Sequence, residues 1–314
     1  MAPTILVVGA TGNTGQSVVE TLSKLLRQGS ALADHRIVAL TRSSKNPVAQ
    51  KLAQLPGVEV KEQNWMEISA DWLRENEVVR AFVASPSQAS QFAEESNFLV
   101  AALHAGVKYV VRISTTYPTV RPDAIPFHSR SHWAIEALLG TPEFEGLQWT
   151  SLQPNSFGPI YLQTAADFIK QYRSTGQQGT LKLVGSADAP VALIDPSDIG
   201  VLAAHLLAQP DPSPHNKAKY VVNGPEDISG NQIVELVEQY IGTKVENVVF
   251  KDLSWVDAIA NYSPGPKQLT LSFKAFPEYQ WQGLCSTATS SKEVLELAPP
   301  TWTPAAVLKR MLDE

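Results

Sequence analysis

Three short stretches carry residue types able to do chemistry. Gly9-Ala10-Thr11-Gly12-Asn13-Thr14-Gly15 sets three glycines among small and polar side chains. Between a strand and a helix, such a turn leaves backbone N–H groups free to hold a pyrophosphate at the helix N-terminus, and its small residues let the phosphate reach the backbone. Gly9, Thr11, Gly12, Asn13, Thr14 and Gly15 are therefore expected to bind a dinucleotide; a tight turn with no ligand is the alternative. The second stretch is Leu40-Thr41-Arg42-Ser43-Ser44-Lys45. An acidic residue at the end of a second strand would hold a ribose 2′-hydroxyl, whereas arginine accommodates a 2′-phosphate. Arg42, supported by Ser43, Ser44 and Lys45, points to NADP rather than NAD, with a solvated basic loop as the competing reading; Asp34 lies at the wrong edge of the strand. The third is His128-Ser129-Arg130-Ser131-His132. Two imidazoles four residues apart share a helix face and can give or take a proton near neutral pH, and Glu136 one turn on could orient His132. Structural hydrogen bonding competes with that reading. No metal site is expected, because no third ligand is evident and the intervening glutamate of a zinc hydrolase motif is missing.

These groups need elements to hold them. Thr4–Val8 is β-branched and apolar, and after the glycine turn Val18, Val19, Leu22, Leu25 and Leu26 recur at helical spacing, with Gly29 placed to end that helix. Residues 37–40, 58–60, 78–84 and 107–113 read as strands, and Phe92, Ser96, Leu99, Val100 and Leu103 as a helix stopped by Gly106. Repeated βα units predict an α/β fold built on a parallel, doubly wound sheet. Residues 1–155 form the expected dinucleotide-binding core, with segments near 190–225 returning to it, and residues 156–314 lie mainly on the substrate side. There, 165–172 reads as a helix, Asp195 and Asp198 as caps with Pro196 at a first helical position, 220–222 as a strand, and Ser229 to Gly242 as a helix with its cap and stop. Residues 243–314 read as irregular and interrupted by proline.

The glycine turn, Leu40-Thr41-Arg42, Val83-Ala84-Ser85-Pro86, the strand at 108–114, Gln153-Pro154-Asn155-Ser156-Phe157, Ile194-Asp195-Pro196-Ser197-Asp198-Ile199-Gly200 and residues 220–225 together resemble the NmrA-like branch of the atypical short-chain dehydrogenases/reductases. The likeness runs over most of residues 4–245. It implies a Rossmann-type domain with a smaller C-terminal substrate region, with Ser85, Pro86, Asn155 and Phe157 bordering the cofactor. Ordinary members of the wider superfamily carry a serine after the fifth strand and a Tyr-x-x-x-Lys pair on the next helix. Ser114, followed by Thr115 and Thr116, matches the serine. Tyr117-Pro118-Thr119-Val120-Arg121 lacks the lysine and contains a proline that resists helix, so Tyr117 is a poor catalytic tyrosine. His128 and His132 stand where the pair is expected, which makes Ser114, His128 and His132 the candidate catalytic residues.

Composition narrows the function. Of 314 residues 44% are apolar and 18% charged, which excludes a disordered, collagenous or coiled-coil chain. Lys+Arg 25 against Asp+Glu 31 gives a net charge of -6, without the basic stripe that nucleic acid requires. The lone Cys285 forms no internal disulfide and suits a reducing compartment, read here as the cytoplasm. The run Ile5 to Val8 falls far short of the roughly 20 residues of a membrane span, so no membrane association is expected. Tyr161, Phe168, Tyr172, Trp255, Tyr262, Phe273, Phe276, Tyr279 and Trp281 are enough aromatic residues to line an apolar pocket in the C-terminal half, although most belong to a core. Two functions fit: an NADP(H)-dependent reductase of C=N, C=C or C=O in a bulky hydrophobic molecule of natural-product biosynthesis, with or without coupled cyclisation, or a non-catalytic NADP(H) sensor acting through a protein partner.

Overall fold

The computed structural model describes residues 2–27, 31–263 and 265–313; the expected helix stop at Gly29 lies outside them. The strands are β1 (Thr4–Val8), β2 (Arg36–Thr41), β3 (Val58–Glu62), β4 (Val78–Val83), β5 (Tyr109–Ile113), β6 (Gln148–Pro154), β7 (Leu181–Leu183), β8 (Ala218–Val222) and β9 (Val248–Phe250). Helices α1 (Gly15–Leu25), α2 (Pro47–Leu52), α3 (Ala70–Glu75), α4 (Gln91–Ala105) and α5 (Phe127–Leu139) connect the first six strands. Then follow α6 (Gly158–Tyr161), α7 (Gln163–Thr175), α8 (Pro196–Leu207) and α9 (Gly230–Ile241), and finally α10 (Ser254–Tyr262), α11 (Lys267–Leu271), α12 (Glu278–Trp281), α13 (Lys292–Leu297) and α14 (Pro304–Asp313).

Seven strands form one parallel sheet in the order β3-β2-β1-β4-β5-β6-β8, so this is a Rossmann-type doubly wound fold. Side chains alternate across a strand, and here both faces are covered. Ile5 and Val7 of β1 pack with Val18, Val19 and Leu22 of α1 and with Ile199 and Leu202 of α8. Leu6 and Val8 face the opposite layer, with Phe98 and Leu99 of α4 and Ile135 of α5. A third cluster gathers α7, α9 and α14 around the two-stranded β7-β9 ribbon. The sheet order reverses between β1 and β4, the kind of switch point where ligand crevices open in such folds.

Several expectations need correction. Strand β5 starts at Tyr109, because Gly106 at φ 80 ends α4 and Val107 N–H turns back to Ala102. Residues 243–314 are not irregular: they carry β9 and helices α10 to α14, since Pro266, Pro277 and Pro304 sit at helix N-termini, where a missing N–H costs nothing. Asp195 caps α8 by accepting from Ser197 N at 2.9 Å, but Asp198 accepts instead from Thr301 N and Trp302 N, at 3.0 and 3.1 Å, and so anchors the C-terminal segment. Ser229 and Gln232 form the capping box of α9, and Gly242 at φ 74 ends it. Among the described residues no helix is long and apolar enough to cross a membrane.

Candidate functional site

A cleft of about 850 Å³ opens at the carboxyl ends of β1, β2, β4, β5 and β6. Its floor begins with the glycine turn. Gly9 takes φ +79 with its missing Cβ 3.1 Å from Ala84 O, so the chain leaves β1 flat against the end of β4. A Cβ at Gly15 would stand 2.1 Å from Gly9 O, which is why α1 can start this close to the turn. Among the described residues the N–H groups of Asn13, Thr14 and Gly15 have no hydrogen-bond partner, and the first turn of α1 holds no acidic residue. Free N–H groups at the positive end of a helix dipole fit a pyrophosphate.

Arg42 continues the wall beyond β2. Its guanidinium makes no hydrogen bond or ion pair among the described residues, so it is available to an added phosphate. Ser43 and Lys45 do not line the cleft: Ser43 folds its hydroxyl back to Lys45 N at 3.3 Å. Ser44 binds Glu62 through both N and Oγ, at 2.9 and 3.0 Å, and those bonds hold the Glu62 carboxyl below its usual range. Gln63, Asn64, Trp65 and Met66 line the cleft as well, none of them anticipated, with Gln63 N bonded to Thr41 O beside Arg42. They follow β3 directly, and their place beside β2 in the sheet is the signal that could have found them.

At the end of β4, Ser85 and Pro86 line the cleft, with Ser85 Oγ turned inward to Glu95 Oε2 at 2.5 Å. Glu95 and Arg112 of β5 form a fully buried ion pair beneath the floor. Arg112 Nη2 also reaches His132 Nδ1 at 2.8 Å. Guanidinium only donates, so Nδ1 accepts and the His132 proton sits on Nε2, 3.0 Å from the amide terminus of Gln91, which must present its oxygen there. Burial first, then Arg112 and His128, hold the His132 pKa well below normal. Both ring nitrogens are thus engaged by Arg112 and Gln91, while the ring itself lines the cleft.

Glu136 does not orient His132. It accepts from Ser151 Oγ at 2.8 Å and from Gln153 Nε2 at 3.1 Å, and pairs with Lys219 at 3.1 Å. Burial works to raise its pKa, but Arg112, Lys219 and the hydroxyls of Ser151 and Ser114 outweigh that and hold it ionised. Ser114 Oγ is buried and, although close enough to influence Glu136, completes no hydrogen bond of normal geometry.

His128 lines the cleft wall. Its ring stacks on Phe273 at 4.7 Å, lies 5.6 Å from Phe276, and places Nε2 3.2 Å from Thr115 Oγ1. Burial pushes its pKa down to about 4, so the imidazole is neutral at pH 7. Tyr117 is exposed in a single 3₁₀ turn that precedes α5. Asn155 and Phe157 line the cleft beyond β6. The Asn155 amide is already spent on Asn223 Oδ1 at 2.9 Å, Cys285 O at 2.7 Å and Ser156 N at 2.8 Å, and it supports the wall from behind. Of the nine aromatic residues named from Tyr161 to Trp281, Phe273 and Phe276 line the cleft; Tyr161 and Phe168 belong to the third core cluster, and Tyr262 is exposed. No group of three or more His, Cys, Asp or Glu among the described residues is placed to hold a metal.

The model of the NmrA-like family matches residues 1–304. A curated relative, the isoflavone reductase homolog P3 of Arabidopsis thaliana, is 27% identical over 277 residues, 85% of this chain and 84% of its own. The solved structure of an NADPH-dependent quinone oxidoreductase from Escherichia coli complexed with NADPH superposes with a TM-score of 0.73 at 22% identity, covering 98% of this chain and 99% of that one. NmrA itself, a negative transcriptional regulator, superposes with a TM-score of 0.70 at 15% identity over 100% of this chain and 96% of its own.

Proposed function

The chain belongs to the NmrA-like family, and from that premise we propose that it is an NADP(H)-dependent reductase of a hydrophobic small molecule. One observation carries the reading: a glycine turn with unpaired N–H groups and an unpaired arginine guanidinium line the same cleft. Gly12, Asn13, Thr14 and Gly15 would hold the pyrophosphate, Arg42 the 2′-phosphate, and Ser85, Pro86 and Phe157 the nicotinamide end. The bound dinucleotide supplies a hydride. The chain supplies position, a base stiffened by the buried Arg112–Glu95 pair, and an apolar wall of Phe273 and Phe276 that favours a bulky, flat acceptor. That wall supports the finer reading of C=N, C=C or C=O reduction on a natural-product intermediate. Cys285, buried with its thiol pushed up to about 12 by burial, is inert and fits a cytoplasmic protein.

Calorimetric titration tests the cofactor. A charged hydrogen bond contributes roughly 1.5 to 3 kcal/mol, so Arg42→Ala is expected to weaken NADPH about 10- to 150-fold and to leave NADH nearly unchanged. Equal losses for both, or a wild-type preference for NADH, defeat the assignment. A sensor that binds NADP(H) without turnover is the second reading, favoured by the absent Tyr-x-x-x-Lys pair and by the commitment of His132 to Arg112. NADPH consumption with quinone and enone acceptors separates the two.

A further inference from the structure

Three hydroxyls follow β5, and the structure uses them differently. Thr116 Oγ1 donates to Pro154 O at 3.1 Å, and Ser114, although it lines the cleft too, has its Oγ buried toward Glu136. Thr115 stands half-buried in the cleft wall, and among the described residues its hydroxyl has one partner, His128 Nε2 at 3.2 Å. The other nitrogen of His128, Nδ1, is buried without a partner among the described residues. The neutral ring carries one N–H. On Nδ1 it would be orphaned beside the phenyl rings of Phe273 and Phe276; on Nε2 it meets Thr115 Oγ1 and leaves only a lone pair against the apolar wall. The Nε2–H tautomer therefore prevails. Thr115 Oγ1 then accepts from His128, and its own proton, lacking an acceptor in the protein, is free for a ligand in the cleft.

We infer that Thr115, positioned by the imidazole of His128, supplies the hydroxyl that binds the oxygen of a carbonyl or conjugated-carbonyl acceptor, the role sequence likeness gives to Ser114. The inference rests on the reductase reading and names the acceptor site within it. The reduced dinucleotide would supply the hydride and be left oxidised: a simple carbonyl carbon would gain the C–H bond as the C=O π pair moves onto oxygen, whereas in a conjugated carbonyl the β-carbon would gain it, the C=C π pair would shift toward the carbonyl carbon and the C=O π pair would move onto the same oxygen, a proton from water completing the O–H bond in each case. Thr115 O–H stabilises the oxygen while its charge develops. His128, one bond removed, is a positioning residue.

Nitrogen-15 spectra of histidine-labelled, cofactor-free protein at pH 7 read the tautomer directly: Nε2–H at His128 is expected, and Nδ1–H or an imidazolium overturns the inference. With menadione as probe and saturating NADPH, Thr115→Val should lower the single-turnover rate roughly 10²-fold, with NADPH binding by calorimetry unchanged, and Thr115→Ser should restore most of it. A full rate in Thr115→Val, or a larger loss in Ser114→Ala than in Thr115→Val, overturns it. Wild-type protein that binds NADPH but leaves menadione unreduced fails the reductase reading instead, so the two failures are distinct.

Discussion

At the scale of single residues, the same amino-acid type does opposite jobs according to what its polar atoms meet. Arg42 and Arg112 are both arginines near the cleft, yet Arg42 is exposed and has no partner among the described residues, while Arg112 is spent on Glu95, Ser151 and His132. Sequence could anticipate Arg42, because the end of a second strand has a fixed place beside the glycine turn. It could not separate Ser114 from Thr115, since the burial of one hydroxyl and the contact of the other with His128 are set by α5, nor His128 from His132, since Arg112 and Gln91 come from distant segments. Gly12 tests the phosphate reading most simply. It is exposed, and a Cβ there would meet only Gly9 O, at 3.2 Å, so Gly12→Val should fold with a melting temperature near wild type. Its two methyl groups would cover the N–H groups of the turn. Loss of measurable NADPH binding by calorimetry is expected; wild-type affinity in the folded variant would remove the turn from the cofactor site.

At the scale of elements, α1 and α8 show how a packing contact reaches the site. The missing Cβ of Gly200 in α8 points at α1: built there, it would lie 1.9 Å from Ser17 Oγ and 2.5 Å from Thr14 O. Thr14 belongs to the glycine turn, so the two helices can press together only because residue 200 has no side chain. Its place beside Asp195-Pro196 was legible as a helix start, but the need for glycine was not, because it arises from a helix nearly the whole domain away in sequence. Gly200→Ala should push α8 off α1 and cost about 1 to 3 kcal/mol by denaturant unfolding. It should also weaken NADPH several-fold by shifting Thr14, although residue 200 does not line the cleft. A variant destabilised by that amount with intact NADPH affinity would show that the turn holds its shape without α8.

At the scale of the molecule, the parallel sheet was legible because every βα unit is a local pattern of apolar strand, turn and amphipathic helix. What the pattern could not convey is the cost of what the layers bury. His128 is enclosed by Phe127, Phe273, Phe276, Thr115 and His132, none of which carries a negative charge, and burial pushes its pKa from 6.5 to about 4. The unfolded chain therefore binds a proton here between those two values, while the folded chain does not. Stability from keeping this imidazole neutral is complete above pH 6.5, falls as pH drops through the window, and levels off below about 4. The loss amounts to about 3 kcal/mol at one site. His132 adds a loss of the same sign, so a single acid titration cannot assign it. The difference between wild type and His128→Phe can: the phenyl ring keeps the stack on Phe273 and removes the titrating nitrogen. Urea unfolding of both proteins at steps from pH 7.5 to 4 should show the wild type losing about 3 kcal/mol relative to the variant as pH falls. A gap that stays constant across that range would mean that His128 is not held neutral by the fold.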